Sequence, residues 1–423
     1  MSSQPNALII GTGEYVTGYV PGGGSKSDKS CGVVGLVHFD LRRRGLIGDQ
    51  ILIAGTNGTK FPHAREHLKR LIDGRYKDLS SNFESFPGND VKRDPDAYLA
   101  ALKILKSGDI VSVFTPDDTH FAMTKAALEH GCHVMVAKPL VLDFTQHQIL
   151  ATLANEKNRL LLVEVHKRFD PIYADARQRL NSGKMGDFGY FYSYMSQPKF
   201  QLDTFQAWAG ISSDISYYLN SHHVDWHVWA MQGKGRPLKV SATSSSGQAE
   251  KRFNDGRHCE DTITLMVEWE NVISGSKGHA VYTASWTDPT SDVHSQQHFY
   301  CQTHKGFLKA DQAHRGYYVS TDEDGFKSVN PLYMKYTTDS EGYYSGQSGY
   351  GYQSFEKFVL AAQQVNDGLK SACDFEHLLP TASTTLQVSA ILHAGRISLD
   401  RKKTVVINYS DENSKFDPVS IST

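Results

Sequence analysis

The first third of the chain alternates short aliphatic runs with stretches of helical period, and this alternation constrains the fold more than any other feature. Strands are predicted at residues 7–10, 50–54, 110–114, 134–136 and 160–165. Helices are predicted between them at residues 33–44, 63–73, 95–106, 119–131 and 145–157. Strands separated by helices of this length indicate an α/β domain with a parallel sheet covered on both faces. We therefore predict a doubly wound domain over residues 1–165, with its ligand site at the carboxyl ends of the strands.

The sequence pattern changes after residue 165. Residues 166–423 are predicted to form an α+β domain with a large, mostly antiparallel open sheet. Aromatic and β-branched runs of period two lie at residues 188–196, 238–243, 261–269, 278–286, 297–303 and 317–321. Helices are predicted at residues 213–231, 352–366 and 382–399. The C-terminal helix is a candidate for packing back on the first domain.

Charge and composition exclude several classes of protein. The 44 Lys+Arg against 46 Asp+Glu give a net charge of -2, without the basic excess of a dedicated nucleic-acid binder. The apolar runs fall short of the roughly 20 residues that span a bilayer, and the first residues do not resemble a signal peptide. The five cysteines lack a CxxC pair, so neither a disulfide framework nor a zinc ribbon is predicted. We expect a cytoplasmic protein with no nucleic-acid or membrane partner.

A glycine motif follows the first predicted strand. Gly11, Thr12 and Gly13 stand where a dinucleotide fold needs glycine for a tight turn near a pyrophosphate. The third glycine of a GxGxxG motif is absent, and a Gly/Ser-rich stretch at residues 18–30 follows instead. We interpret this stretch as an insertion, after which Gly32 or Gly35 resumes close helix packing; a plain turn is the alternative.

The second predicted strand ends without the carboxylate that binds the ribose of NAD in many dinucleotide folds. Thr56, Asn57 and Lys60 occupy this region. Small polar groups beside a lysine are compatible with a ribose hydroxyl or with a 2′-phosphate. The cofactor prediction is therefore NAD or NADP.

Two later segments carry a family resemblance. The run Thr115-Pro116-Asp117-Asp118-Thr119-His120 and, beyond it, Ala137-Lys138-Pro139 resemble the TPN-x-x-H and EKP segments of the glucose-fructose oxidoreductase, inositol dehydrogenase and MocA (Gfo/Idh/MocA) family. Residues 166–171 resemble its H-x-R-F-x-P segment, whereas Ala137 replaces the glutamate of EKP. The resemblance implies a Rossmann-type first domain, a cis bond before Pro139, and cofactor contacts from the following residues: Thr115, Pro116, Asp118, His120, Lys138 and Pro139.

Lys138 is the first candidate catalytic residue. It follows a parallel strand at its carboxyl end, where an ammonium group can hydrogen-bond a substrate hydroxyl and take part in proton transfer. The alternative is a solvated lysine before a turn proline. The neighbouring motifs favour the catalytic interpretation.

The second candidate lies in the predicted helix at residues 213–231. His222 and Asp225 match the H-x-x-D part of the family's D-x-G-x-H-x-x-D pattern, with Tyr218 at the aspartate position and Asn220 at the glycine position. We predict His222 as general base, with His223 as its rival and Asp225 as the group that orients it. A surface or capping acid is the alternative for Asp225. No third ligand accompanies the histidines, so no metal is predicted.

The resemblance implies an NAD(P)-dependent oxidoreductase that transfers hydride between nicotinamide and a carbinol carbon of a sugar, cyclitol or related polyol. Lys138 and His222 would handle the proton, and the protein would form a homo-oligomer, a dimer or tetramer. Two alternatives remain: a catalytically silent dinucleotide-sensing regulator, and a lyase or glycosidase that uses transient oxidation by retained NAD. The residues expected to bind substrate are His166, Arg168, Lys199, Tyr218, Asn220 and His223.

Overall fold

The computed structural model describes residues 4–20, 23–25, 29–323, 325–410 and 415–423. The chain forms two compact units, each built from several segments. The first unit comprises Met1–Leu140, Ile149–His166 and Pro331–Ser383. The second comprises Val141–Gln148, Lys167–Asn330 and Thr384–Thr423. This division differs from two consecutive domains that meet near residue 165, because residues 331–383 group with the first unit.

The first unit is built on a six-stranded parallel sheet. Its strands are β1 (Ala7–Ile10), β2 (Ile51–Ala54), β3 (Glu84–Phe86), β4 (Ile110–Val113), β5 (His133–Ala137) and β6 (Leu161–Glu164). Their order across the sheet is β3-β2-β1-β4-β5-β6, so the strand order reverses between β1 and β4. The predicted doubly wound sheet is thereby confirmed, with ligand sites expected at the carboxyl ends beside this reversal.

Hydrophobic composition explains the central strands of this sheet. All four residues of β1, β2 and β4 are buried, as expected for parallel strands that helices cover on both faces. The edge strand β3 was not predicted, because its sequence, Glu-Ser-Phe, has no aliphatic run.

The helices alternate with the strands of the first sheet and recur along the rest of the chain. They are α1 (Glu14–Thr17), α2 (Val34–Arg43), α3 (Phe61–Leu68), α4 (Ala97–Leu102), α5 (His120–Glu129), α6 (Phe144–Glu156), α7 (Pro171–Asn181), α8 (Gln201–Thr204), α9 (Ser221–Ala230), α10 (Gln248–Phe253), α11 (Tyr350–Asn366) and α12 (Leu386–Arg401). Short π-helical turns precede α9 at Ser216–Asn220 and follow α3 at Lys69–Asp73. Over the described part of the chain, no helix combines the length and apolar character that crossing a membrane requires.

Helix α11 explains why residues 331–383 belong to the first unit. The Tyr352 hydroxyl donates to the buried carboxylate of Asp40 on α2 at 2.7 Å. At the other end of α11, the Asn366 amide donates to the carbonyl oxygen of Gly108 at 2.8 Å. Phe355 and Phe358 are fully buried on the same helix. Polar anchors at both ends and an apolar face therefore fix α11 to the first unit.

The second unit is built on an eight-stranded sheet of order β12-β11-β7-β10-β9-β8-β13-β14. Its strands are β7 (Phe188–Pro198), β8 (Gly235–Ser246), β9 (Glu260–Asn271), β10 (Lys277–Asp288), β11 (Gln296–Thr303), β12 (Gly306–Asp311), β13 (Val405–Tyr409) and β14 (Pro418–Ser422). The β7–β10 pairing is parallel and the other pairings are antiparallel. The predicted large, mostly antiparallel sheet is confirmed. The run predicted at residues 317–321 instead pairs with Gly325–Ser328 in a separate hairpin.

Alternation along β7 defines the two faces of this sheet. Phe191 and Met195 are buried in the core, where Trp226, Phe299 and Tyr282 also lie. The intervening Tyr190, Tyr192 and Tyr194 are partly exposed on the opposite face. One face is thus an aromatic core, and the other is a half-exposed tyrosine-rich surface.

Candidate functional site

The turn after β1 has a backbone that only glycine accommodates at its first position. Gly11 has φ +127°, and a β-carbon there would overlap the carbonyl oxygen of Phe114. Gly13 has an ordinary φ of -73°, and apart from Gly13 and its two chain neighbours no heavy atom of the described residues lies within 4 Å of where its β-carbon would be. Gly11 therefore allows the turn after β1 to lie close to the end of the neighbouring strand β4. At Gly13 no side chain covers the backbone of the turn.

The predicted insertion separates two helices that pack closely. Helix α1 ends at Thr17 and α2 begins at Val34; residues 21–22 and 26–28 of the Gly/Ser-rich stretch lie outside the described residues. A β-carbon at Gly32 would overlap the Val16 carbonyl oxygen, and one at Gly35 would lie 2.8 Å from it. Both glycines thus allow the start of α2 to approach the end of α1. Their contact with a dinucleotide stays a prediction.

Lys60 lies against the same glycine turn. Its amine donates to the carbonyl oxygen of Thr12 and lies 5.9 Å from the ring centre of Tyr19. Burial lowers the pKa of Lys60 to about 8. Asn57 accepts the backbone N–H of Thr59 at 3.0 Å and caps the short turn that carries Lys60. Lys60 therefore stabilises the glycine turn through its hydrogen bond to Thr12. Thr56 and Asn57 are exposed.

His120 connects the loops that follow β4 and β5. The ring is fully buried, with Nε2 2.9 Å from the Thr115 carbonyl oxygen and Nδ1 3.0 Å from that of Pro139. Carbonyl oxygens only accept hydrogen bonds, so the ring serves as a donor. Pro116 and Asp118 are exposed beside it. His120 thus positions the loop that carries Lys138, and direct contact with a cofactor stays a prediction for the other loop residues.

Lys138 stands at the carboxyl end of β5 and is partly exposed. Its peptide bond to Pro139 is cis, as the resemblance implied. Burial lowers the pKa of Lys138 to about 8, against the opposing charges of Asp117 and Glu164. An amine that titrates near neutral pH is suited to giving and taking a proton.

Three neighbouring residues of the first unit were missed by the sequence analysis: Tyr15, Glu164 and Tyr333. The hydroxyls of Tyr15 and Tyr333 form a hydrogen bond, and burial raises the pKa of both phenols well above the usual value. His166, an expected substrate residue, lies 3.3 Å from Glu164 through Nδ1, and its ring centre is 4.9 Å from that of Tyr333. Local sequence offered a signal only for Glu164, a lone acid at the end of an apolar strand.

In the second unit, the polar residues of α9 are buried. His222 is 6 % exposed, His223 1 %, and Asp225 and His227 0 %. His223 Nε2 lies 3.0 Å from the Tyr173 hydroxyl. Burial lowers the pKa of His223 well below its usual value. His222 therefore keeps more exposure than the rival histidine beside it.

Asp225 is engaged by Arg168. The guanidinium donates from Nε and Nη2 to the two carboxylate oxygens at 2.9 and 2.6 Å. The arginine side chain is 5 % exposed and the aspartate side chain 1 %. This bidentate ion pair accounts for the burial of both charged side chains. Their predicted roles, in substrate binding for Arg168 and in orienting His222 for Asp225, stay predictions.

The remaining expected substrate residues have different surroundings. Asn220 is buried and donates to the Ser216 hydroxyl at 3.0 Å and to the Ile263 carbonyl oxygen at 3.3 Å. Tyr218 lies among aromatic rings, 5.3 Å from Trp208, and Lys199 is exposed. Asn220 thus ties its helix to the sheet, and the Tyr218 hydroxyl accepts a hydrogen bond from the Gln197 amide at 3.3 Å.

Comparison with known proteins finds a family similarity in the first half of the chain. Residues 50–165 match the Gfo/Idh/MocA family model, described as an oxidoreductase family with an NAD-binding Rossmann fold. The chain is similar to members of this family over these residues. The Gfo/Idh/MocA resemblance is thereby confirmed, together with the expectation of a pyridine-nucleotide-binding Rossmann domain.

Two of the relatives are named as dehydrogenases of a glucoside and of an inositol. The chain is 31% identical over 120 residues to D-glucoside 3-dehydrogenase of Escherichia coli, covering 28% of this chain and 33% of that protein. It is 27% identical over 225 residues to scyllo-inositol 2-dehydrogenase (NAD(+)) of Bacillus subtilis, covering 52% and 61%. The chain thus spans between a third and about three fifths of the length of these relatives.

A solved structure shares the fold over nearly the whole chain. Scyllo-inositol dehydrogenase from Lactobacillus casei, with bound NAD(H) and scyllo-inositol, superposes with a TM-score of 0.62 at 15% identity, covering 95% of this chain and 99% of that chain. At this identity the match establishes the fold alone. Both units therefore share their fold with that dehydrogenase.

Proposed function

We propose that this Gfo/Idh/MocA protein is an NAD(P)-dependent oxidoreductase of a sugar, cyclitol or related polyol. The balanced reaction converts a secondary alcohol and oxidised coenzyme into a ketone, reduced coenzyme and a proton. The observation that carries the proposal is Lys138, an amine of pKa about 8 at the carboxyl end of β5. That edge of the sheet also carries the glycine turn.

The residues of the first unit fit a pyridine dinucleotide. The bare backbone at Gly13 leaves room for a diphosphate, and Lys60 supplies positive charge beside the turn. Thr56 and Asn57 are exposed at the end of β2, where a ribose binds in folds of this order. When bound, the nicotinamide ring accepts or returns the hydride. The proposal leaves NAD and NADP as alternatives that a titration decides.

Lys138 handles the proton in the proposed reaction. As an ammonium group it donates a hydrogen bond to the substrate oxygen and stabilises negative charge there. Its lowered pKa lets it exchange that proton near neutral pH. His222 is proposed as the general base, since it retains more exposure than His223, and Asp225 as its support.

A hydride-transfer assay tests the proposal. Purified protein is incubated with NAD+ or NADP+ and a panel of inositols, glucosides and other polyols, and absorbance at 340 nm is followed. We expect turnover of at least one member, lost in Lys138→Ala and retained in the exposed control Lys157→Ala. Absence of turnover across the panel in both directions, or full activity of Lys138→Ala, would contradict the catalytic assignment.

A regulatory role is the second candidate. The observation that favours it is the engagement of Asp225 by Arg168, together with Tyr218 at the aspartate position of the family pattern. A silent sensor binds coenzyme tightly, turns over no polyol and captures a protein partner. A lyase or glycosidase that uses transient oxidation instead retains coenzyme without consuming it.

Self-association and a cytoplasmic location complete the proposal. The partly exposed Tyr190, Tyr192 and Tyr194 on one face of the large sheet, with Met266 at 52% exposure, support a homo-oligomer, because apolar surfaces of this kind favour association. Light scattering with size-exclusion chromatography distinguishes a dimer or tetramer from a monomer, and cell fractionation checks the location.

A further inference from the structure

Glu164 is a buried carboxylate that the proposed reaction has not used. It ends β6 and is 4% exposed. The Ser354 hydroxyl donates to its Oε1 at 3.1 Å, and His166 Nδ1 lies 3.3 Å from its Oε2. A buried carboxylate is costly unless such polar partners compensate it. Its placement therefore calls for a reason beyond packing.

The register of the sheet places Glu164 beside Ala137, the residue before Lys138. Strands β5 and β6 are parallel, and Ala137 is the partner of Glu164. Side chains of paired residues on neighbouring strands project from the same face of a sheet, and the strands lie about 4.8 Å apart. Ala137 is also the residue that replaces glutamate in the family's EKP segment. A carboxylate missing from one strand thus reappears at the matching position of the next.

We propose that Glu164 is a positioning residue which, from the neighbouring strand, supplies the negative charge that Ala137 lacks and holds Lys138 as an ammonium group at neutral pH. This inference rests on the proposed function for its catalytic meaning, but the charge effect itself is a property of the protein without coenzyme.

The surrounding groups are consistent with this role. Glu164 and Asp117, from the loop after β4, both raise the pKa of Lys138 and oppose the effect of burial. Tyr15 of α1 and Tyr333 also interact with Glu164. Burial raises the pKa of both phenols well above the usual value, so both are neutral at pH 7. His166 adds positive charge near Glu164 only when it is protonated. Glu164 and Asp117 are therefore the negative charges acting on Lys138.

Competitive labelling tests the charge effect in the protein without coenzyme. Acetic anhydride acetylates the neutral amine, and mass spectrometry of the Lys138 peptide gives the labelling midpoint as a function of pH. We expect a wild-type midpoint near pH 8. In Glu164→Gln it should fall by about one pH unit, since losing a nearby opposite charge shifts a pKa by about this amount or more.

Three further variants separate charge from structure. Adding Ala137→Glu to Glu164→Gln returns the carboxylate to the neighbouring strand and should restore the midpoint. Ser354→Ala removes a hydrogen bond to Glu164 but keeps its charge, and should leave the midpoint within a few tenths of a pH unit. Glu129→Gln alters an exposed ion pair on α5 and should have no effect. Thermal melting by circular dichroism verifies folding of each variant.

The outcomes are distinct. An unchanged midpoint in Glu164→Gln overturns the inference, as does a lowered midpoint that Ala137→Glu fails to restore in the double variant. A midpoint that falls and is restored supports it, and the pH profile of kcat should then move in parallel. If the labelling behaves as expected but no variant, wild type included, turns over any polyol, the proposed function fails and the charge assignment stands.

Discussion

Two regions of the molecule carry residues of the types used in proton chemistry, and they are built differently. The carboxyl edge of the first sheet holds Lys138, partly exposed, with a pKa lowered to about 8. Helix α9 of the second unit holds His223 and His227, whose pKa values burial moves far from neutrality, that of His227 to about 3. Desolvation acts in both regions, but at Lys138, as at Lys60, it brings a group towards the pH at which proton transfer is efficient.

The difference shows how to weigh a sequence pattern. Histidine and aspartate at helical spacing suggested His222 as an acid–base group, and that role stays a prediction. Its neighbours His223, Asp225 and His227 all have partners inside the core. A polar residue on a helix that is buried all round is more often a satisfied core group than a reacting one. Lys138 differs from these residues because it is partly exposed and stands at the carboxyl end of a parallel strand. The following variants test this contrast, in order of expected effect.

The largest effect is expected at Lys138. Replacing it with alanine removes the proposed proton-handling group, and kcat/KM should fall by about 10²- to 10⁴-fold while the melting temperature changes little. The measurement is steady-state kinetics with the polyol that the panel identifies. A loss confined to KM would assign Lys138 to substrate binding alone.

The buried ion pair of α9 should show the opposite behaviour, a loss of stability. Asp225→Ala leaves the Arg168 guanidinium buried without its carboxylate, and the free energy of unfolding should fall by about 3–5 kcal/mol. The matched control is Asp175→Ala, which breaks an exposed pair with Arg179 and should cost less than about 1 kcal/mol. Urea denaturation measures both, and equal costs would refute the structural role of the pair.

A smaller stability change is expected from Tyr173→Phe. This variant removes the hydroxyl that lies 3.0 Å from His223 Nε2, and leaving a buried polar atom without its partner costs about 1–3 kcal/mol. Tyr318→Phe serves as the control, because Tyr318 is 50% exposed. If the two variants melt alike, the contact with His223 contributes nothing to stability.

The mildest test is the pH dependence of stability. The folded pKa of His227 is about 3, below its usual 6.5, so between pH 3 and 6.5 the unfolded chain binds a proton that the folded protein does not. The contribution of His227 is complete above pH 6.5 and declines as pH falls, by about 1.4 kcal/mol per pH unit. His227→Gln should reduce the slope of unfolding free energy against pH by one proton. Parallel curves for wild type and variant would contradict the assignment.

The sequence predicts most of the first sheet because its information is local. The strands β1, β2, β4, β5 and β6 are short apolar runs, and their bounds fall within two residues of the predicted ones. The signals that predict the glycine turn and Lys138 are equally local, because each directly follows the strand that positions it. Edge strand β3 lacks this signal, and only its pairing with β2 defines it.

The missed parts depend on residues that are distant in sequence. Tyr15 and Tyr333 are 318 positions apart, and no pattern around either residue indicates that they meet. The return of residues 331–383 to the first unit likewise rests on contacts such as that of Tyr352 with Asp40. Glu164 could have been found from its position at the end of an apolar strand, but its relation to Lys138 required the register of β5 and β6.

A coenzyme titration of wild type and Gly13→Val tests the central claim most directly. Gly13 has an ordinary φ and, among the described residues, open space at its β-carbon position, so valine is accommodated without loss of stability but fills the space proposed for the diphosphate. Calorimetry should show saturable binding of NADH or NADPH to wild type and at least a tenfold loss in the variant at an unchanged melting temperature. The claim is contradicted if neither coenzyme binds the wild type, or if Gly13→Val binds it equally well.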